Sequence, residues 1–179
     1  MTLSLGLAAL TVLDTAPMQH VDLAEKHGFD TIGIRLMPAA PGTTAYPLHE
    51  DKQSLDELVR RLGDSPVEVF DLEIIRLAAD FDPTDYAPLL EAGAQLGAKA
   101  VLVGGDDRDR ARLTDSYARL AELCANYGIV ASLEFMPWTA VPDARAAIEI
   151  VSASRISPTR MTSGSSRSAA RRPVAKSGV

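Results

Sequence analysis

Glu134 closes the apolar run Ile129-Val130-Ala131-Ser132-Leu133 and is followed at once by Phe135-Met136-Pro137-Trp138. A carboxylate between a strand-like run and a proline-containing loop stands where α/β folds put their ligand and metal groups, at the carboxyl rim of a parallel sheet. The same residue could simply end a strand and cap a loop. Asp71 and Glu73 are two residues apart, so on a strand they point to one side. They face either substrate or metal in the interior, or a neighbouring cation such as Arg35 or Arg76. Glu73 is the better candidate of the two, because Phe70 and Leu72 alternate against the pair. Arg35, at the end of another strand-like run, suits a substrate carboxylate or phosphate, or a structural ion pair. Asp106, in Gly104-Gly105-Asp106-Asp107, stands where a substrate hydroxyl could reach it, although helix capping is the simpler account of both aspartates. The glycine pair lacks the further spaced glycines and the Lys-Ser/Thr of a phosphate loop. Trp138 and Phe135 could wall a sugar ring, or Trp138 could plug an opening or pack on a neighbouring chain. His20 and His27 lie seven residues apart on one helix face and read as surface positions. His49, with Tyr46 nearby, reads as a solvated loop histidine or a contributor to a pocket.

These groups need a scaffold, and residues 1–151 supply a strand and helix alternation that signals a parallel sheet with helices outside it. The expected strands are 3–8, 31–36, 67–75, 99–103 and 129–134, spaced by roughly thirty residues as βα units require. The first helix runs from Pro17 to His27 with Gly28 as its stop. Ser54 with Glu57 forms a capping-box signature for a second, which ends near Gly63. A third starts near Asp85 with Tyr86, Leu89, Leu90 and Gly93 inward and Gly97 as its stop. A fourth carries Leu113, Tyr117, Leu120 and Cys124 at helical spacing up to Gly128. Asp143 caps a fifth, with Ala144, Ala147, Ile148 and Val151 on one face. Cys124, the single cysteine, lies on an apolar stripe and reads as core.

The composition, 46% hydrophobic and 23% charged, is that of an ordinary globular domain. No apolar run approaches the roughly 20 residues of a membrane span. The N-terminus has no basic region or cleavage site of a signal peptide, so the expected compartment is cytoplasmic and no membrane partner is expected. The net charge of −6 conceals an asymmetry, because residues 152–179 hold 6 of the 18 basic residues and no acid. That leaves 12 basic against 24 acidic residues in 1–151. An acidic body argues against nucleic acid as a partner. Residues 152–179 are Ser/Arg-rich without apolar periodicity, and such a tail is expected to be disordered. The expected domain is therefore 1–151, an incomplete barrel of five βα units.

The runs Phe70-Asp71-Leu72-Glu73, Val101-Leu102-Val103-Gly104-Gly105-Asp106-Asp107 and Ser132-Leu133-Glu134-Phe135-Met136-Pro137-Trp138 resemble the xylose isomerase-like TIM-barrel superfamily of sugar phosphate isomerases and epimerases. The resemblance covers about residues 1–151 and implies an α/β fold, a (β/α)8 barrel truncated after the fifth unit. It implies that Glu134 is both a catalytic group and a ligand of a divalent metal, Mn, Mg or Zn. It also implies that the remaining ligands, on strands six to eight, lie in sequence this chain does not have. The implied reaction is isomerisation or epimerisation of a small polyhydroxy carbonyl compound through an enediolate, with Arg35, Glu73, Asp106 and Trp138 as substrate-binding candidates. Epimerases of that superfamily often carry a second acid six residues beyond the strand-five ligand, and Ala140 stands there. A lyase or dehydratase of the same superfamily is the enzymatic alternative. The other alternative is a non-catalytic barrel fragment that self-associates through its open sheet edges as a homo-oligomer. The change of character after Val151 looks like the product of a reading-frame shift in a GC-rich gene.

Overall fold

The computed structural model describes residues 3–155. In chain order the elements are β1 (Gly6–Leu7), α1 (Pro17–His27), β2 (Thr31–Arg35), α2 (Lys52–Gly63), β3 (Glu68–Leu77), α3 (Ala87–Gln95), β4 (Ala100–Gly105), α4 (Arg110–Asn126), β5 (Val130–Glu134) and α5 (Ala144–Ser154). The strands form one five-stranded sheet in the order β1-β2-β3-β4-β5, with every pair parallel. Right-handed crossovers between sequential parallel neighbours bring all the helices to one side. The result is the α/β wall of an incomplete (β/α)8 barrel.

The helix-covered side of the sheet is the core. Ile32, Ile34, Leu72, Ile75, Leu77, Val101 and Val103 from the strands are buried with Leu58, Leu90, Leu113, Leu120 and Ile150 from the helices. The period-2 pattern of each strand sends these residues to one face, and the 3.6-residue period of each helix supplies the matching stripe. Helix α3 lies so close to β3 that a Cβ on Gly93 would strike the Leu72 side chain. On α4 the stripe of Leu113, Tyr117, Leu120 and Cys124 is buried, and the Tyr117 hydroxyl donates to the Ala131 carbonyl at 2.9 Å. Burial pushes the Cys124 thiol up to about 12, so it packs as an apolar residue. Gly28, Gly97 and Gly128 follow α1, α3 and α4 with φ of 73°, 74° and 72°, a left-handed stop that a residue with a Cβ resists.

Several boundaries differ from the sequence reading, each for a local reason. Only Gly6 and Leu7 of the first expected strand pair with β2, and Leu3 and Leu5 are exposed. The α2 cap is Asp51, which accepts from the Ser54 amide and hydroxyl, so Ser54 lies in the first turn. Gly104-Gly105 lies inside β4, and the α4 cap is Asp109, accepting from the Ala111 and Arg112 amides. The register shift between Ile32 and Gly33 leaves Phe70 without an opposite residue, and it is 53% exposed rather than set against the acid pair. On α5, Ile150 is buried and Ile148 exposed. That helix continues to Ser154, so 152–154 are helical and not part of a disordered tail. The rest of the expected tail, from 156 onward, lies outside the described residues. Among the described residues no helix is long and apolar enough to cross a membrane.

Candidate functional site

The other side of the sheet carries charge. Parallel pairing sets Gly33 opposite Asp71, Arg35 opposite Glu73, and Arg76, Gly104 and Glu134 in one row across β3, β4 and β5. Residues opposite one another in a parallel pair share a face, so these groups gather on the side without helices, near the carboxyl ends of the strands. A shift of register between Leu72 and Ile75 lets Arg76 join the face that Asp71 and Glu73 already occupy.

Four of these charges cancel in two pairs. Arg35 Nη2 donates to Glu73 Oε2 at 2.6 Å, and both side chains are buried. Removing either partner of such a buried pair would leave the other without its charge match. Arg76 holds Asp106 through two bonds, Nε to Oδ2 at 2.5 Å and Nη2 to Oδ1 at 2.7 Å, with both partners about one-third exposed. The Asp106 hydrogen bond raises the Arg76 guanidinium above its ordinary pKa. Asp107 is tied instead to Arg112, whose bonds of 2.5 and 2.8 Å hold its carboxyl below the usual range.

Two carboxylates on this face have no cation. Glu134 ends β5, exposed, and has no ion pair or side-chain hydrogen bond among the described residues. Asp71 also lacks both, and it is half-buried: burial first, then the charges of Glu73 and Glu134, push its carboxyl up to about 6. Room for it comes from Gly33, where a Cβ would collide with the Asp71 carboxylate and approach the Ala9 amide to 3.3 Å. A carboxyl titrating near 6 can take up and give back a proton at neutral pH, which an ordinary aspartate does poorly.

The structure thus brings Arg35 and Glu73 together as each other's partners, and sets Glu134 on the same face with Asp71. Asp106 stands on the rim with Arg76. Trp138 lies at the tip of the loop after β5, 78% exposed, so it plugs no opening among the described residues. That loop is folded by the Met136 amide donating to the Val141 carbonyl and the Thr139 hydroxyl donating to the Met136 carbonyl, both at 2.9 Å. Asp71, set below Glu73 in the sequence reading, is the acid of the two that has no cation. The signal available was the glycine at 33 two positions before Arg35, repeating the spacing of Asp71 before Glu73. His20 is a second miss: far from lying on the surface, it is 3% exposed, and burial lowers its pKa against a hydrogen bond to Leu7 and the field of Glu73. His27 is exposed as expected, and His49 is partly buried with Nε2 3.6 Å from Glu50. Among the described residues no group of three His, Cys, Asp or Glu side chains could hold a metal ion.

No protein-family model and no curated protein matches the chain. Solved structures do. An IolI protein with a bound zinc atom superposes with a TM-score of 0.68 at 22% identity, covering 86% of this chain and 59% of that one. The probable 3-DHS dehydratase AsbF of petrobactin synthesis, from Bacillus anthracis, gives 0.68 at 16% identity, covering 87% and 60%. D-psicose 3-epimerase with D-fructose gives 0.67 at 13% identity, covering 85% and 60%. Identities this low establish the fold alone, that of a partial (β/α)8 barrel. The chain spans about 60% of the length of these structures.

Proposed function

We propose that this chain forms part of an isomerase or epimerase that moves a proton between adjacent carbons of a small polyhydroxy carbonyl compound through an enediolate. The observation that carries the reading is the pair of carboxylates, Asp71 and Glu134, left without cations on a sheet face where every other acid named above is matched by an arginine. Asp71 has the basicity to take the carbon-bound proton and return it. Glu134, two strands away on the same face, adds its charge to burial and to Glu73 in keeping Asp71 basic. Asp106 and Arg76, still partly exposed, would bind substrate hydroxyls, and Trp138 with Phe135 would cover the sugar. Arg35 and Glu73 would act through their ion pair, fixing the wall on which Asp71 stands. The fold supports this reading, and among the similar structures are an epimerase and a dehydratase. A divalent metal, Mn, Mg or Zn, belongs to the reading through the family resemblance and the zinc atom of the IolI structure. Glu134 would offer it one donor, and among the described residues no group of three His, Cys, Asp or Glu completes a site around it.

Exchange of substrate C–H for deuterium tests the proposal. Purified protein, with and without Mn²⁺, would be incubated with D-fructose in D₂O and followed by proton NMR. Wild type should exchange, Asp71→Asn should lose at least tenfold, and Glu134→Gln should lose rate and lower the apparent pKa of the pH profile. Exchange that is equal in all three proteins contradicts the proposal, as does none in any.

A second reading is favoured by a specific pattern of exposure. Leu3 and Leu5 beside β1, and Val130, Phe135, Trp138 and Ile148 around β5, leave large apolar side chains at both open ends of the sheet. Unpaired strand edges with apolar surroundings promote association. In this reading the chain is a non-catalytic partial barrel that assembles as a homo-oligomer. Size-exclusion chromatography decides: a monomer across a hundredfold concentration range removes it.

A further inference from the structure

Two buried polar atoms near the carboxyl end of β2 have no hydrogen-bond partner: His20 Nε2, on α1, and Arg35 Nε, on β2. Their side chains are among the most enclosed polar groups of the protein, His20 at 3% and Arg35 at 7% exposure. Both line one cavity, together with Ala9, Thr15, Ile34 and Tyr46. The cavity is about 10 Å³, close to the smallest space that holds one water.

The chemistry of the lining selects the occupant. A neutral His20 ring with its proton on Nδ1 presents Nε2 as an acceptor, and that nitrogen has no partner. Arg35 Nε–H is a donor. One donor and one acceptor facing the same space call for a ligand that both accepts and donates. An anion is disfavoured because Glu73 already neutralises Arg35 at 2.6 Å, and a second negative charge there would be buried without a cation. A cation is disfavoured by the guanidinium itself. An empty cavity would leave two buried polar atoms unsatisfied, whereas cavities that stay dry are apolar.

We propose that this cavity is a binding site for a single, long-lived water that accepts from Arg35 Nε–H and donates to His20 Nε2. The water joins α1 to β2. It holds the Arg35 guanidinium on the edge that Nη2 also turns to Glu73, and so helps to position the inner-face ion pair. The Thr15 hydroxyl and the Tyr46 hydroxyl, which donates to the Leu13 carbonyl at 3.2 Å, bring two further polar groups to the same lining for the water's remaining capacity.

A high-resolution crystal structure of the full chain, with NMR cross-peaks between Arg35 Nε–H and water, tests it. The expected result is one ordered water within about 2.7–3.2 Å of both nitrogens and a cross-peak of a long-lived water to Arg35 Nε–H. His20→Phe should abolish that cross-peak while the Arg35 to Glu73 bond persists, and His20→Gln, which keeps an acceptor, should retain it. The idea is overturned by the absence of density and cross-peak in wild type, by a protein acceptor found directly on Arg35 Nε, or by a cross-peak that His20→Phe leaves unchanged. The wild-type observations decide the matter even if a variant fails to fold.

Discussion

The two faces of one sheet are built on opposite principles. The helix-covered face is apolar from β2 to β4, with Ile32, Leu72, Ile75, Val101 and Val103 at or near zero exposure. The open face holds Arg35, Asp71, Glu73 and Arg76 on β2 and β3, with Glu134 on β5. Alternate residues of a strand thus separate the work: one set drives folding through burial, and the other holds charges in fixed relation. On the apolar face each residue is replaceable by another of similar shape. On the charged face the identity of each partner decides whether its neighbour is neutralised or left basic.

The largest expected effect breaks the apolar face. Leu90→Ala removes a fully buried side chain between α3 and the sheet, and should cost about 3–5 kcal/mol, read by denaturant unfolding. A loss below about 1 kcal/mol would mean that the helices do not pack as described. The buried pair comes next. Glu73→Gln strands the Arg35 charge and should cost about 3 kcal/mol, whereas Arg35→Met combined with Glu73→Leu should recover most of that loss. Equal damage from the single and double variants would show that the pair is not a unit.

Asp71→Asn should act in the other direction. Asp71 titrates near 6 in the folded chain and near 3.9 when unfolded. The folded state therefore binds the extra proton between those values. The stabilisation linked to that proton is complete below the unfolded pKa and is lost as pH rises through the folded one. At pH 7 the variant should be more stable than wild type by about 1–2 kcal/mol once solvent screening of a half-buried group is allowed for. Below pH 4 this advantage should vanish, and unfolding curves across pH 4–7 would show it. The smallest effect belongs to the partly exposed pair, where Arg76→Gln should cost about 0.5 kcal/mol and lower the apparent pKa of no group on the apolar face.

What the sequence disclosed follows the same division. Helix α1 could be read from Pro17 to Gly28 without error, because a proline start and a glycine stop are backbone signals that need no tertiary context. The stripe on α4 was equally plain, since periodic burial is written in residue type. The place of Glu134 at the end of β5 was legible because a carboxylate ending an apolar run is locally conspicuous. Asp71 was not preferred to Glu73, because the choice depends on which acid meets Arg35, and that is fixed by the register of β2 against β3, including the shift at Ile32 and Gly33. His20 was misplaced for a related reason: heptad spacing with His27 set both on one face, while the loop after β1 covers only the first of them. Capping of α4 was set three residues early, because Gly104-Gly105 looks like a turn but extends β4. Local rules found the elements, and long-range register assigned the charges.

The unmatched carboxylate is the centre of the account, and its titration is the direct measure. Carbon-13 NMR of the Asp71 side-chain carboxyl, followed from pH 3 to 8 in wild type and in Glu134→Gln, should give a pKa of about 6 in the first and a lower one in the second. A wild-type value near 4, with no response to Glu134→Gln, would contradict it.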